Sequence, residues 1–219
     1  MMRRIALFLL FFCPFFALAA ETVNSSVGQV GDHVVTAREV WISNYLERWN
    51  LARKSSEGAM KAPTADWKPA LKSEAFNQAA SSFMLEYMVA QEAENFSIAQ
   101  VDPAEAKKEA QEFLKAVAGS SEWSKFEASS SEIEKFIERK HRTQNFLKFK
   151  TDSAGVTVTD EEAKAYYEKN RMKFGNLPFA QFKDSIKEVL SRQMLEDRLK
   201  DWFEVLRRKY RVRFLGSSS

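Results

Sequence analysis

The chain of 219 residues is poor in the residues that carry chemistry: it has one cysteine, two histidines, seven glycines and five prolines. A lone Cys13 cannot form an intrachain disulfide or a multi-thiolate metal site. His33 and His141 lie far apart in sequence, and no carboxylate spacing suggests that they share a metal. His33 falls in a short hairpin and His141 one turn after Ile137 on a helix, so both are expected to be structural. No nucleophile elbow, phosphate-binding loop, dinucleotide fingerprint or zinc-protease motif is present. No catalytic residue, metal or cofactor is therefore expected. Charge of one sign is also missing. The 33 basic and 30 acidic residues are interspersed, as on solvated helix faces, and leave no electrostatic footprint for nucleic acid.

One long apolar run is present, at the beginning. Arg3-Arg4 precede 14 apolar residues, Ile5 to Leu18, and small residues mark the end of the run at Ala17, Ala19 and Ala20. A positive start, an apolar run too short to span a bilayer as a helix and a small-residue exit predict a secretory signal peptide, residues 1–19, cut after Ala19. The exported product, without Cys13, would be cysteine-free and periplasmic, with no stable membrane insertion.

Scarce glycine and proline, periodic apolar residues and repeated caps predict a mainly α fold. Val27–Val30 and His33–Val35 read as two strands around Gly31-Asp32. Thr36 and Glu39 form a capping box for a helix to about Lys54. Residues 55–69 read as a loop holding Met60 and Trp67. Further helices are expected from near Pro69 to Phe96, from Pro103 to about Ala118, and from a Ser131/Glu134 cap to Lys150. Thr159 and Glu162 cap a short helix. Pro178 opens a long one to Tyr210, and Val212 and Phe214 alternate with Arg211 and Arg213 as a strand whose natural partner is Val27–Val30. Residues 20–215 are expected to form a single helical domain, a core at 20–174 completed by residues 178–214, with a disordered tail at 216–219.

Aromatic residues and methionines are the remaining feature. Trp41, Tyr45 and Trp49 recur every four residues on one helix, and Met84 and Met88 on the next. Such stripes are usually core. Their functional reading is an apolar groove for unfolded polypeptide clients, since thioethers and rings make contact area without fixing one partner geometry.

The placed elements resemble the SurA/PpiC/PrsA group of exported chaperones. That group opens with a strand-turn-strand "V-x-V-N-G-x-x-I-T-x-x-E-V", which Val27 to Val40 follow. Met88-Val89-Ala90-Gln91-Glu92-Ala93 matches its "L-x-x-Q-E-A" helix end, and Val101-Asp102-Pro103-Ala104-Glu105 resembles its "V-S-D-x-E" start. Val158 to Glu162, Tyr166 to Asn170 and Phe174 match "V-T-D-E-E-I-x-x-Y-Y-E-x-N-x-x-x-F", the most specific of the motifs. Phe179 to Phe214 looks like the closing helix and strand. In the group a parvulin prolyl isomerase domain usually follows that last motif. Here Phe174-Gly175-Asn176-Leu177-Pro178 joins it directly to the closing helix. The resemblance thus implies a chaperone module alone: an ATP-independent holdase for exported or outer-membrane clients. The rival readings are a degenerate isomerase homologue and an exported helical adaptor for one folded partner.

Overall fold

A computed structural model describes residues 24–54, 67–97 and 100–215. The expected signal segment, Met60 and the 216–219 tail lie outside the described residues. The molecule is mainly helical, with a small three-stranded sheet. Strands β1 (Ser26–Val30) and β2 (His33–Thr36) flank Gly31, whose φ of +59° suits a residue without a Cβ. Helix α1 (Ala37–Lys54) follows at once. The Thr36 amide donates to Glu39 Oε2 at 2.8 Å and the Glu39 amide donates to Thr36 Oγ1 at 3.3 Å. This is the expected capping box.

Helix α2 (Glu74–Phe96) starts five residues after Pro69, because the Ser73 hydroxyl accepts from the Phe76 amide and supplies the cap. Pro69 instead presents its carbonyl to the Trp41 indole, 2.8 Å away. Helix α3 (Pro103–Val117) is capped by Asp102, and the four-residue α4 (Ser121–Ser124) by Ser120. Helix α5 (Ser130–Ser153) is capped by Ser129 rather than Ser131, and Glu134 accepts from Ser130 Oγ. Helix α6 (Asp160–Lys169) carries the complete Thr159/Glu162 capping box. Two 3₁₀ turns, Arg171–Lys173 and Phe179–Gln181, precede α7 (Lys183–Lys209), so the α-helix itself begins five residues beyond Pro178. Its 27 residues span about 40 Å.

Strand β3 (Arg213–Phe214) returns to β1, giving the antiparallel order β2-β1-β3 with Gly28 opposite Phe214 and Gln29 opposite Arg213. The pairing is the one the sequence predicts, but neither residue of β3 is buried and Phe214 stays 43% exposed. The edge strand is too short to be covered.

Two clusters of apolar side chains form the interior. The larger lies where α2 packs on α1, α5 and β1, and α3 on α5. Tyr45 sits among Trp67, Trp123 and Phe126, with ring centroids 5.4 to 5.6 Å apart and mostly edge-on or tilted. Trp67, read from sequence as a loop residue, is buried there. Gly28 marks where β1 crosses α2: a Cβ at that position would lie 2.8 Å from both Sδ and Cε of Met84. The smaller cluster is built on Ala163, Tyr167 and Ile186, with Phe174, Phe179 and Phe182 packed around them.

Candidate client-binding crevice

The five stripe residues are the first test of where a polypeptide could bind. Trp41, Tyr45, Trp49, Met84 and Met88 are each at most 1% exposed. Their rings and thioethers fill the larger cluster, so in this structure they are core and line no open groove. The reason is geometric. The stripe on α1 faces α3, α4 and the Trp67 segment, and Trp49 meets Phe113 edge-on at 5.5 Å. The Met84 stripe faces β1.

Accessible concave surface lies instead beside Leu85, on another face of α2. Two cavities meet there. The larger, about 700 Å³, is bounded by α1, α2 and α5, with Glu105 and Glu109 of α3 at its rim. Its charges are largely committed to one another. Lys140 bridges to Glu47, Arg139 lies 3.3 Å from Glu86, and Glu109 takes His141 at 2.8 Å and Arg53 at 3.3 Å. The hydrogen bond from His141 holds the Glu109 carboxyl below its ordinary range, and the same bond raises the His141 imidazole above its own. Burial pushes the Glu86 carboxyl up, although Arg139 and Lys140 oppose that.

The smaller cavity, about 410 Å³, has an apolar floor of Leu85, Leu199 and Phe203 between charged sides from Glu196, Lys200, Glu204 and Arg207. It exists because of how α7 is patterned. Phe182, Ile186, Leu190 and Met194 run at four-residue spacing, and Ile186, Leu190 and Phe182 pack on the smaller cluster. The stripe then steps by one residue, to Leu195, Leu199, Trp202 and Leu206, which turns it about 100° round the helix. The second stripe reaches the main body: Trp202 lies 5.9 Å from Phe146, and Leu206 is buried in the larger cluster. Between its two anchorages the helix is thinly covered. Of its 27 residues only Ile186 and Leu206 are buried, whereas the 18-residue α1 buries seven.

The far end of α7 is fixed by a polar clasp. The Tyr210 hydroxyl donates to Glu92 Oε2 at 2.7 Å, Lys209 bridges to the same carboxylate, and the Gly31 amide donates to the Tyr210 carbonyl at 2.6 Å. Burial pushes the Glu92 carboxyl up, but the hydrogen bonds from Lys209 and Tyr210 prevail and leave it below its ordinary range.

Among the described residues no three His, Cys, Asp or Glu side chains are placed to hold a metal, and no helix is long and apolar enough to cross a membrane. Leu199 and Phe203 escape the sequence reading as site residues because α7 reads there as one continuous apolar stripe, and Leu85 because it lies off the Met84–Met88 stripe of α2. The legible signal is the step at Met194-Leu195. No family model matches the chain, and neither a curated protein nor a solved structure does.

Proposed function

We propose that the protein is an exported, ATP-independent holdase that binds unfolded polypeptide, with the trough between α2 and α7 as its contact surface. The observation that carries this reading is the under-covered α7, which leaves Leu199 and Phe203 only partly buried along an apolar floor, with Phe203 also packed on the edge of the larger cluster. An extended client can lay apolar side chains there while its polar backbone faces the flanking charges, and a wide, open trough does not demand one sequence. The finer reading, a SurA-type chaperone module without its isomerase domain, rests on the motifs from Val158 to Phe174 and on the direct junction to the closing helix. Export to the periplasm rests on the signal-like first 19 residues.

The test is suppression of aggregation of several unrelated unfolded proteins without nucleotide. Leu199→Ser is expected to weaken protection several-fold while leaving the melting temperature within a few degrees. The Phe203 ring also packs on Trp202 and the larger cluster, so Phe203→Ser should weaken protection as well but lower the melting temperature, and it is compared at a temperature where it remains folded. Full protection by both variants would refute the trough. Protection of a single folded partner, and no unfolded client, would favour the adaptor.

A further inference from the structure

The turn joining α6 to α7 combines exposed apolar residues with uncompensated positive charge. From Lys169 to Phe182 the chain has three cations and no carboxylate. Met172, at the apex of the first 3₁₀ turn, is 98% exposed, and Leu177 is 48% exposed. A methionine that bare is unusual on an ordered turn, and this turn is held firmly. The Tyr167 hydroxyl donates to the Leu177 carbonyl at 2.5 Å, Arg171 lies 4.7 Å over the Tyr167 ring, and Phe174 packs at 5.0 Å against both Tyr167 and Phe182. The smaller cluster thus works as a rigid base that holds Met172 outward.

Among the described residues, no other acid-free cationic stretch carries a large apolar side chain as bare as Met172. Within 139–151, Arg139, Lys140, Arg142 and Lys148 are paired with carboxylates and Lys150 lies 5.2 Å over the Trp202 ring. Within 205–215, Lys209 is bridged to Glu92 and Arg207 lies 3.9 Å from Glu204, while Arg208, Arg211 and Arg213 have no ion pair among the described residues and the neighbouring Phe214 and Leu215 are only about half exposed. Lys183 and Lys187, just beyond the turn, are both bridged to Asp160. Lys169 and Lys173 have no ion pair among the described residues and are exposed beside Met172.

We propose that this turn is a peripheral docking point for anionic phospholipid, with Met172 entering the interface and Lys169 and Lys173 meeting the headgroups. The shape favours a bilayer over an acidic protein. A stable protein interface needs roughly 800 Å² on each partner and a complementary surface, which one protruding methionine with Leu177 beside it cannot supply. A soft, planar, anionic surface accepts a convex tip, and each cation near it contributes about fivefold in binding. Attachment of this size is weak, reversible and salt-sensitive.

The test places an environment-sensitive fluorophore on Met172→Cys in the otherwise intact chain, with Cys13→Ser removing the competing thiol. Its emission should shift to the blue with phosphatidylcholine vesicles containing about 30% phosphatidylglycerol and stay unchanged with pure phosphatidylcholine. Adding Lys169→Gln and Lys173→Gln should weaken the response roughly 25-fold, whereas Arg208→Gln with Arg211→Gln should change it less than about twofold. Lys169, Met172, Lys173, Arg208 and Arg211 are exposed, so an unchanged melting curve shows that the fold is intact. No shift on anionic vesicles, an equal shift on neutral ones, or an equal loss from the C-terminal pair would overturn the proposal. A response to poly-glutamate but not to vesicles would overturn it in favour of an acidic protein partner.

Discussion

Replacing Trp41 or Trp49 by alanine removes a ring from a position with almost no exposure. Each substitution is expected to cost about 3–5 kcal/mol, read as a large fall in the urea midpoint, with client protection lost only in step with folding. Gly28 makes the complementary case. Gly28→Ala would press its methyl against the Met84 thioether and within 3.0 Å of the Arg213 carbonyl, so overpacking of about 1–3 kcal/mol is expected. Met84→Ala opens that space, and the double variant should be more stable than the two single losses predict. Strict additivity in a double-mutant cycle would show that the contact does not govern Gly28. The His141–Glu109 pair gives the molecule a pH signature. His141 has a raised value, so its contribution is complete below its unfolded value of about 6.5 and is lost as pH rises through the folded one. Glu109 is depressed, so its contribution is complete above about 4.5 and is lost as pH falls through its lower folded value. The melting-temperature gap between the parent chain and His141→Gln should be widest near pH 5.5 and close toward pH 8. A gap independent of pH would rule the pair out as its source.

At the scale of elements, helix starts announced by a serine, threonine or aspartate with a matching partner are legible, and ambiguous ones are not. Thr36/Glu39, Asp102-Pro103 and Thr159/Glu162 each open the helix they predict. Near Pro69 and Ser131 the pattern misleads, because Ser73 and Ser129 are competing hydroxyls within a few residues and only chain geometry selects between them. The candidate site is less legible still. An aromatic stripe is the same string of letters whether its helix faces a core or a crevice, and for Trp41 and Met84 the partners that decide it come from Phe76 of α2, from Phe126 just beyond α4 and from β1. Helix α7 shows the converse. Its step at Met194-Leu195 is written in the sequence, but its meaning needs two bodies for the two stripes to face. Moving that step should matter. Deleting Met194 shifts the second stripe by about 100° and should destroy the pairing of β3 with β1 while α6 remains helical, as amide hydrogen exchange would show. Retained protection at Gln29 would contradict the two-anchorage description.

On the scale of the whole molecule, the interior is divided between a large cluster and a satellite of three buried residues, Ala163, Tyr167 and Ile186. So few buried side chains hold the satellite at the low end of local stability. Tyr167→Ala removes its largest ring and the hydroxyl bond to Leu177. Amides from about 160 to 190 should then exchange far faster while α2 and α5 keep their protection. A uniform loss across both regions would mean that the molecule opens as one unit.

The pairing of Gly28 with Phe214 also bears on the history of each molecule, since it joins residues near the two ends of the chain. A polypeptide emerging start-first exposes the β1–β2 hairpin long before the residues that complete its sheet exist. During that interval one edge of β1 is an open template for any passing strand. Closure waits on β3 and joins Gly28 to Phe214 across most of the helices between them, a long-range contact of the kind that slows folding. Completion of the sheet is therefore timed by the synthesis of β3 rather than by the hairpin's own speed. A truncated product, however well its helices form, would be left with that edge unguarded.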